Sequence, residues 1–420
     1  MGNNFNKLNL SLLLLLIYEL SMVIFKLDGL SISKLVITGF IWLSVGVAIY
    51  TFLKNYRKLK NNIPRFAFSI LWILIIWNLI NIGRGLYSDS GSMTTLFGNV
   101  FTSIALLVPF VIIFSIKTEN IKVIRRYFFT LLKIGILLFV LFFVLGGGVI
   151  NVTQIRILNL SFLPVIFLIT TIHFEKKKYI YIVLIAAILL FYVSYMNSSR
   201  TMMIREILLI TGLISLYFYR KFHFKWILKG TFVLLIAPFI FIQSSMDSGE
   251  SFFQENLSSV SDDEMSTDTR TFLYVEVYED LVKNNKLLFG KGANGTYYSN
   301  YFDTAGGDTD TRLTVEVGVL AILLKSGLIG VTLYLLLLFV AIYYSFFRSN
   351  NHFVVGIGFM LFIYTMLLFV ENIISYSSHN LFVWFFIGVC LSNEIRYMTN
   401  FEIQNILNPK KYINEVSTIN

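Results

Sequence analysis

The stretch that decides the reading runs from Ser244 to Arg312: SSMDSGESFFQENLSSVSDDEMSTDTRTFLYVEVYEDLVKNNKLLFGKGANGTYYSNYFDTAGGDTDTR. No apolar run inside it approaches membrane length. Before it and after it the chain is dominated by apolar runs. The 420 residues are 56% hydrophobic and 14% charged, with a mean hydropathy of +0.73. Soluble domains carry about 25% charged residues, so the composition specifies an integral membrane protein with one sizeable extramembrane loop. The side that loop faces decides much of the function.

Apolar runs of about 18 or more residues read as spanning helices. Twelve segments qualify: 8–25, 30–53, 66–82, 96–116, 127–145, 157–174, 180–196, 201–219, 226–243, 327–347, 353–370 and 377–393. The expected fold is an all-α polytopic membrane protein. Spans one to nine occupy 1–243, the loop 244–326, spans ten to twelve 327–393, and a tail 394–420. The polar start (Asn3, Asn4, Asn6, Lys7) is followed by no small-residue cleavage site, so no cleaved leader is expected.

A formal charge of +10 suggests an anionic partner such as nucleic acid, but its placement argues against one. Lysine and arginine crowd alternate loops: Lys54, Arg57, Lys58, Lys60 and Arg65; Lys117, Lys122, Arg125 and Arg126; Lys176, Lys177 and Lys178; Arg220, Lys221, Lys225 and Lys229. Between them lie nearly neutral loops around Asp28, 88–92, 146–151 and 197–199. This is the positive-inside pattern. It places both termini in the cytoplasm and the large loop outside. The single cysteine, Cys390, excludes a disulfide within the chain.

Pro109, Pro164 and Pro238 stand inside expected spans and are expected to kink them. In the loop, Asp268 or Thr269 can cap a helix from Arg270 to Asn284, with Leu273, Val277 and Leu281 on one face. A second helix is expected from Arg312 to Lys325. Both are read as lying over the membrane face.

Six arginines fall at outward positions against the charge trend: Arg84, Arg156, Arg200 and Arg205 at span ends, with Arg270 and Arg312 flanking the loop. The plain reading is interfacial snorkelling. The functional reading is a pocket for phosphate, whose oxygens match the planar guanidinium fork. Glu316 follows Arg312 by four residues, so on a helix the two share a face; it is either a surface partner or a base. Glu371 and His379 lie at outer ends of the last two spans, and Glu19 in the first, as bundle contacts or cavity residues. Glu206 is expected to point away from Arg205.

Gly290–Gly295 spells GxGxxG without the surrounding βαβ unit, so it is read as a flexible turn whose NH groups could approach an anion. Asp308 and Asp310, with Asp262, Asp263, Glu264 and Asp268, read as a solvated acidic loop. No zinc spacing, Walker A motif or nucleophile elbow occurs. No cofactor or metal is expected.

Three local stretches carry a resemblance. Asn197-Ser-Ser-Arg200 joins two spans. Thr269-Arg270 precedes a helix and then Phe289-Gly-Lys-Gly292. Glu316-Val-Gly318 runs to Lys325-Ser-Gly-Leu-Ile-Gly330 and a leucine-rich span. In their order and membrane placement, across about 190–395, these resemble the Wzy-type O-antigen polymerase and O-antigen ligase family. The resemblance implies metal-independent glycosyl transfer at the outer leaflet of a bacterial cytoplasmic membrane. The donor would be an oligosaccharide on polyprenyl diphosphate. Arg200, Arg205, Arg270 and Arg312 would hold the diphosphate. Glu316, with Arg312 and Arg270, would do the chemistry. Glu371, His379, Arg84 and Arg156 would line the acceptor side or the cavity. Chain-length regulator and flippase proteins are implied partners. Ligases of this family carry a histidine near the end of the loop, and here that place holds Arg312 and Glu316, which favours polymerisation. A glycolipid transporter is the rival outside the enzymes; it should show inverted repeats and mid-membrane charges, and the sequence has no repeat.

Overall fold

The computed structural model describes residues 7–28, 34–87, 93–146, 152–162, 164–196, 200–222, 225–238, 271–299 and 311–407. The described chain is almost wholly helical: α1 Lys7–Asp28, α2 Lys34–Asn62, α3 Arg65–Leu86, α4 Met93–Gly98, α5 Ser103–Leu106, α6 Thr118–Leu145, α7 Val152–Phe162, α8 Pro164–Ile169, α9 Lys177–Met196, α10 Arg200–Phe222, α11 Lys225–Val233, α12 Thr271–Lys283, α13 Gly318–Phe347, α14 His352–Leu367, α15 Ser378–Leu391, α16 Asn393–Tyr397 and α17 Asn400–Leu407. Two short strands, β1 (Tyr297–Tyr298) and β2 (Thr311–Arg312), pair antiparallel.

Among the described residues four helices are long and apolar enough to cross a membrane: Arg65–Leu86, Thr118–Leu145, Lys177–Tyr195 and Gly318–Phe347. This makes the protein a membrane-embedded helical one. Several other expected spans are helical but broken. Segment 96–116 divides into α4, α5 and a 3₁₀ stretch, Val108–Ile116, with Pro109 in its first turn. In segment 157–174 helix covers residues up to Phe162 and again Pro164–Ile169, and a 3₁₀ turn follows at Ile172–Phe174. Proline removes a backbone donor and clashes with the preceding turn, which accounts for the 3₁₀ stretch at Pro109.

Helix starts toward the end of the chain carry side-chain acceptors. Asn351 accepts from Val354 N at 2.9 Å to open α14. Thr399 and Glu402 form a reciprocal capping box at α17: Glu402 Oε2 accepts from Thr399 N at 2.7 Å, and Thr399 Oγ1 accepts from Glu402 N at 3.2 Å. On the same side, Arg125 pairs with Glu175 through two nitrogens and donates to the Leu407 carbonyl at 2.9 Å.

The loop carries a core of its own. Leu273, Val277 and Leu281 of α12 are fully buried against Tyr297, Val315, Val317 and Val319–Leu324, as the helical spacing predicts. The second expected helix differs. Arg312 belongs to β2, residues 313–317 are not helical, and helix begins only at Gly318. The reason is visible in the burial pattern: Val315 and Val317 point into the core while Glu316 is exposed. That alternation is the two-residue period of an extended strand, and Thr311, Thr314, Val315 and Val317 are β-branched and favour it.

Helix α13 is two helices joined at Gly327, whose φ of 66° and ψ of −172° lie outside the helical region. The GxGxxG turn lies across this break. Lys291 N donates to Leu324 O at 2.8 Å, Gly292 N to Lys325 O at 3.0 Å, and Ala293 N to Asn81 O at 3.0 Å. Leu328 N and Ile329 N, at the start of the second half, donate to Leu287 O and Leu288 O. These NH groups therefore have carbonyl partners, and the turn is a structural crossing with none of them left for an anion.

Candidate functional site: the Glu371–Asn380 connection

Helices α14 and α15 contain 16 and 14 residues, about 24 and 21 Å of helix at 1.5 Å per residue. A hydrocarbon core is about 30 Å thick. Their connection reads Glu-Asn-Ile-Ile-Ser-Tyr-Ser from 371 to 377 and is irregular; Ser378, His379 and Asn380 open α15, and all ten residues are buried or half-buried. At membrane depth, irregular backbone persists only where protein or a wet cavity satisfies it.

The rest of the chain supplies those partners. Gly318 N donates to Glu371 O at 3.1 Å, and Tyr376 N donates to Val100 O at 3.0 Å. Asn372 accepts from Ile374 N at 2.9 Å and donates to Val315 O at 2.6 Å. Tyr274 of α12 donates to Phe369 O at 2.6 Å. Glu19 reaches over from α1: its carboxylate accepts from Ser378 N and Ser378 Oγ, both at 2.7 Å. It thereby satisfies a free NH in the first turn of α15.

Two buried hydroxyl chains lead away from the connection. Tyr376 OH pairs with Ser44 Oγ at 3.0 Å, which pairs with Ser11 Oγ at 2.7 Å. Tyr334 OH pairs with Tyr364 OH at 2.9 Å, and Tyr364 OH donates to Asn380 Oδ1 at 3.2 Å. The His379 ring sits between Tyr364 and Phe167, with centroids 5.8 and 5.9 Å away.

Arg205 completes the site. It is only 7% exposed, and Glu206 is 6% exposed. Arg205 Nε stands 3.6 Å from Glu206 Oε1, too long for a good hydrogen bond. Among the described residues, Nε and Nη2 of Arg205 and Oε1 of Glu206 have no hydrogen-bond partner. Glu206 therefore faces Arg205, contrary to the expectation that it points elsewhere. Arg205 is also close enough to His379 to act on it electrostatically. A buried guanidinium with open donors attracts an anionic oxygen strongly, because low polarity strengthens the attraction.

A second polar group stands on the loop module, joined to the connection through the Asn372–Val315 contact. Tyr297 and Arg312 are direct cross-strand partners, and Arg312 donates a hydrogen bond to the Tyr297 phenol. Glu276 and Glu316 both act on the same phenol, and Ser299 donates to Glu276 Oε2 at 2.7 Å. Burial pushes the Tyr297 phenol up to about 12, with Arg312 opposing the shift. Arg312 and Glu316 are thus gathered around Tyr297 by an extended segment, in place of the expected helix face.

The remaining candidates distribute as follows. Arg84 donates to Asn81 Oδ1 at 2.9 Å and to the Phe289 and Gly290 carbonyls at 2.5 and 2.6 Å, which anchors the GxGxxG crossing. Glu371 contributes its backbone carbonyl at the connection. Arg200 opens α10 and Arg156 lies in α7, with side chains outside the described residues. Arg270, the acidic run 262–268 and Asp308–Asp310 also lie outside them. Among the described residues no cluster of three or more metal-ligating side chains occurs. The sequence singles out Glu19, Arg205, Glu371, His379 and Asn380 but not Tyr376, Ser378 or the Tyr334–Tyr364 pair. The available signal was eight polar or hydrogen-bonding side chains packed into 371–380, between two apolar segments.

Comparison with protein-family models, with curated proteins and with solved structures gives no match to this chain.

Proposed function

We propose that the protein is a polysaccharide polymerase that joins oligosaccharide repeat units carried on polyprenyl diphosphate, at the outer leaflet of a bacterial cytoplasmic membrane. The observation that carries this reading is Arg205: a buried guanidinium with two nitrogens that have no hydrogen-bond partner among the described residues, and whose charge acts on His379. A developing diphosphate anion is the chemistry that such donors stabilise. In the reaction a hydroxyl oxygen of the acceptor sugar bonds to the donor's anomeric carbon. The bond from that carbon to the diphosphate oxygen breaks, and a base takes the hydroxyl proton. Arg200, Arg270 and Arg312 would complete the diphosphate site, and Glu316 is the base we assign. The twelve-span topology with both termini cytoplasmic belongs to the same reading, as do the chain-length regulator and flippase as partners. The reaction as written needs no cofactor.

Alanine at Arg200, Arg205, Arg270 or Arg312 is expected to abolish polymer while the protein stays in the membrane. Lysine is expected to rescue only partly, because the bidentate fork is lost. Wild-type polymer in all four alanine variants would refute the reading. One observation favours a second reading, ligation of finished glycan to a lipid or protein acceptor: the His379 imidazole beside Arg205 offers a base where a ligase needs one. A His379→Ala variant that loses transfer to such an acceptor, in a chain that makes no polymer, would select it.

A further inference from the structure

Helix α12 is apolar on two faces. Leu273, Val277 and Leu281 are buried in the loop module's core. Val275, Tyr278 and Val282 are 41%, 41% and 44% exposed. At about 100° per residue these three form a second stripe, distinct from both the buried face and the charged arc of Glu276, Glu279, Asp280 and Lys283. Just past the helix, Leu288 and Phe289 are 56% and 49% exposed. Leu287, immediately before them, packs on the module's core.

Two rulers fix the height of Leu288 and Phe289. Leu328 N and Ile329 N donate to Leu287 O and Leu288 O, so this turn caps the second half of α13. That half, Leu328–Phe347, is about 30 Å of helix, one hydrocarbon thickness. On α3, the Phe289 ring lies 6.0 Å from Trp77 and its carbonyl accepts from Arg84. Those residues stand about 18 and 29 Å along the helix from Arg65. By the first ruler, and by Arg84 on the second, the turn's backbone sits at the edge of the hydrocarbon layer, with the Phe289 ring reaching inward to Trp77. The neighbouring surface of α3 is itself exposed and apolar, through Ile76, Leu79 and Ile80, on a helix of membrane-crossing length. Arg84 and Trp77 flank the turn as interfacial side chains do.

We propose that the loop module lies flat on the bilayer, with Val275, Tyr278, Val282, Leu288 and Phe289 held in the boundary between headgroups and acyl chains. A helix with apolar residues over more than half its circumference and charges on the remainder suits that position. The occupant of this face is lipid.

The test is site-directed spin labelling of the full chain in phospholipid bilayers, in a Cys390→Ser background. Single cysteines go at Tyr278, Val282, Leu288, Phe289 and, as the internal control on the charged arc, Glu279. All five side chains are exposed, and only at Phe289 is a ring contact given up, the one to Trp77. Relaxation by oxygen is expected to exceed relaxation by a water-soluble nickel complex at the four apolar positions, with the reverse at Glu279. Nickel accessibility at Val282 or Leu288 equal to that at Glu279 overturns the proposal. So does protection from both reagents, which would show that protein covers the face.

Discussion

Gly290 and Gly327 cross backbone against backbone: a Cβ added to Gly290 would stand 2.5 Å from the Gly327 nitrogen. Both residues have left-handed φ, 67° and 66°. The crossing joins the loop module to the transmembrane half of α13, and no side chain fits at either position.

Gly327→Ala is therefore expected to destabilise the fold severely. The combination of φ 66° and ψ −172° is essentially confined to glycine, and occupying it with another residue costs about 1–3 kcal/mol. The added methyl would also run into the Leu288 carbonyl. Gly83→Ala is the control, because a Cβ there meets nothing within 4 Å. Thermal unfolding of detergent-purified protein should show a large loss for the first variant and little change for the second. Equal stability would mean that the crossing does not hold the two parts together.

The amide–carbonyl account of the 371–380 connection assigns Glu19 a stabilising role with a graded outcome. Its carboxylate accepts twice from Ser378. Leaving a buried donor unsatisfied costs about 1–3 kcal/mol. Glu19→Ala removes both acceptors and should lower stability by an amount in that range. Glu19→Gln keeps one acceptor oxygen and should lose less. If alanine and glutamine variants unfold together with wild type, the contact contributes nothing measurable.

These two predictions show what the sequence could and could not disclose. The buried stripe Leu273–Val277–Leu281 was legible because helical periodicity is local. The start of α13 was misread because the charges of Arg312 and Glu316 are spaced like a helical ion pair, while the β-branched residues among them follow a two-residue period, and burial of Val315 and Val317 decided between the two. The connection itself was not legible. Glu19 and Ser378 lie 359 positions apart, and Ser44 and Tyr376 lie 332 apart. Nothing in local composition encodes such a pairing.

The Arg205–Glu206 pair should separate stability from function. Breaking a buried pair by removing one partner costs about 3–5 kcal/mol, whereas replacing both by apolar or neutral groups is often neutral or stabilising. Arg205→Met alone should lower stability. The double variant Arg205→Met with Glu206→Gln should recover it, or exceed wild type, and still make no polymer. A double variant as active as wild type would remove Arg205 from the site.

Orientation follows from the alternating Lys/Arg loops. In a Cys390→Ser background, a cysteine at Tyr298 on β1 should react in intact cells with a membrane-impermeant reagent, and one at Lys177 only after permeabilisation. The reverse pattern would invert the topology and place the Glu371–Asn380 connection on the cytoplasmic side.

Glu316 gives the sharpest test of the chemistry. It is exposed and lies close enough to act on the Tyr297 phenol that Arg312 hydrogen-bonds. This puts a carboxylate beside a guanidinium at the edge of the loop module, where Asn372 ties Val315 to the connection below. In the proposed reaction a base there would act on the acceptor hydroxyl while the arginine would face the diphosphate. Glu316→Gln keeps the shape and removes the charge, so turnover by purified enzyme on a lipid-linked repeat unit should fall by about 10²–10⁴-fold, the usual contribution of a general base, with donor binding retained. If Glu316 only orients Arg312, the loss appears instead as weaker donor binding with turnover at saturation preserved. Unchanged turnover in the glutamine variant ends the base assignment and moves the search to His379, the imidazole already beside Arg205.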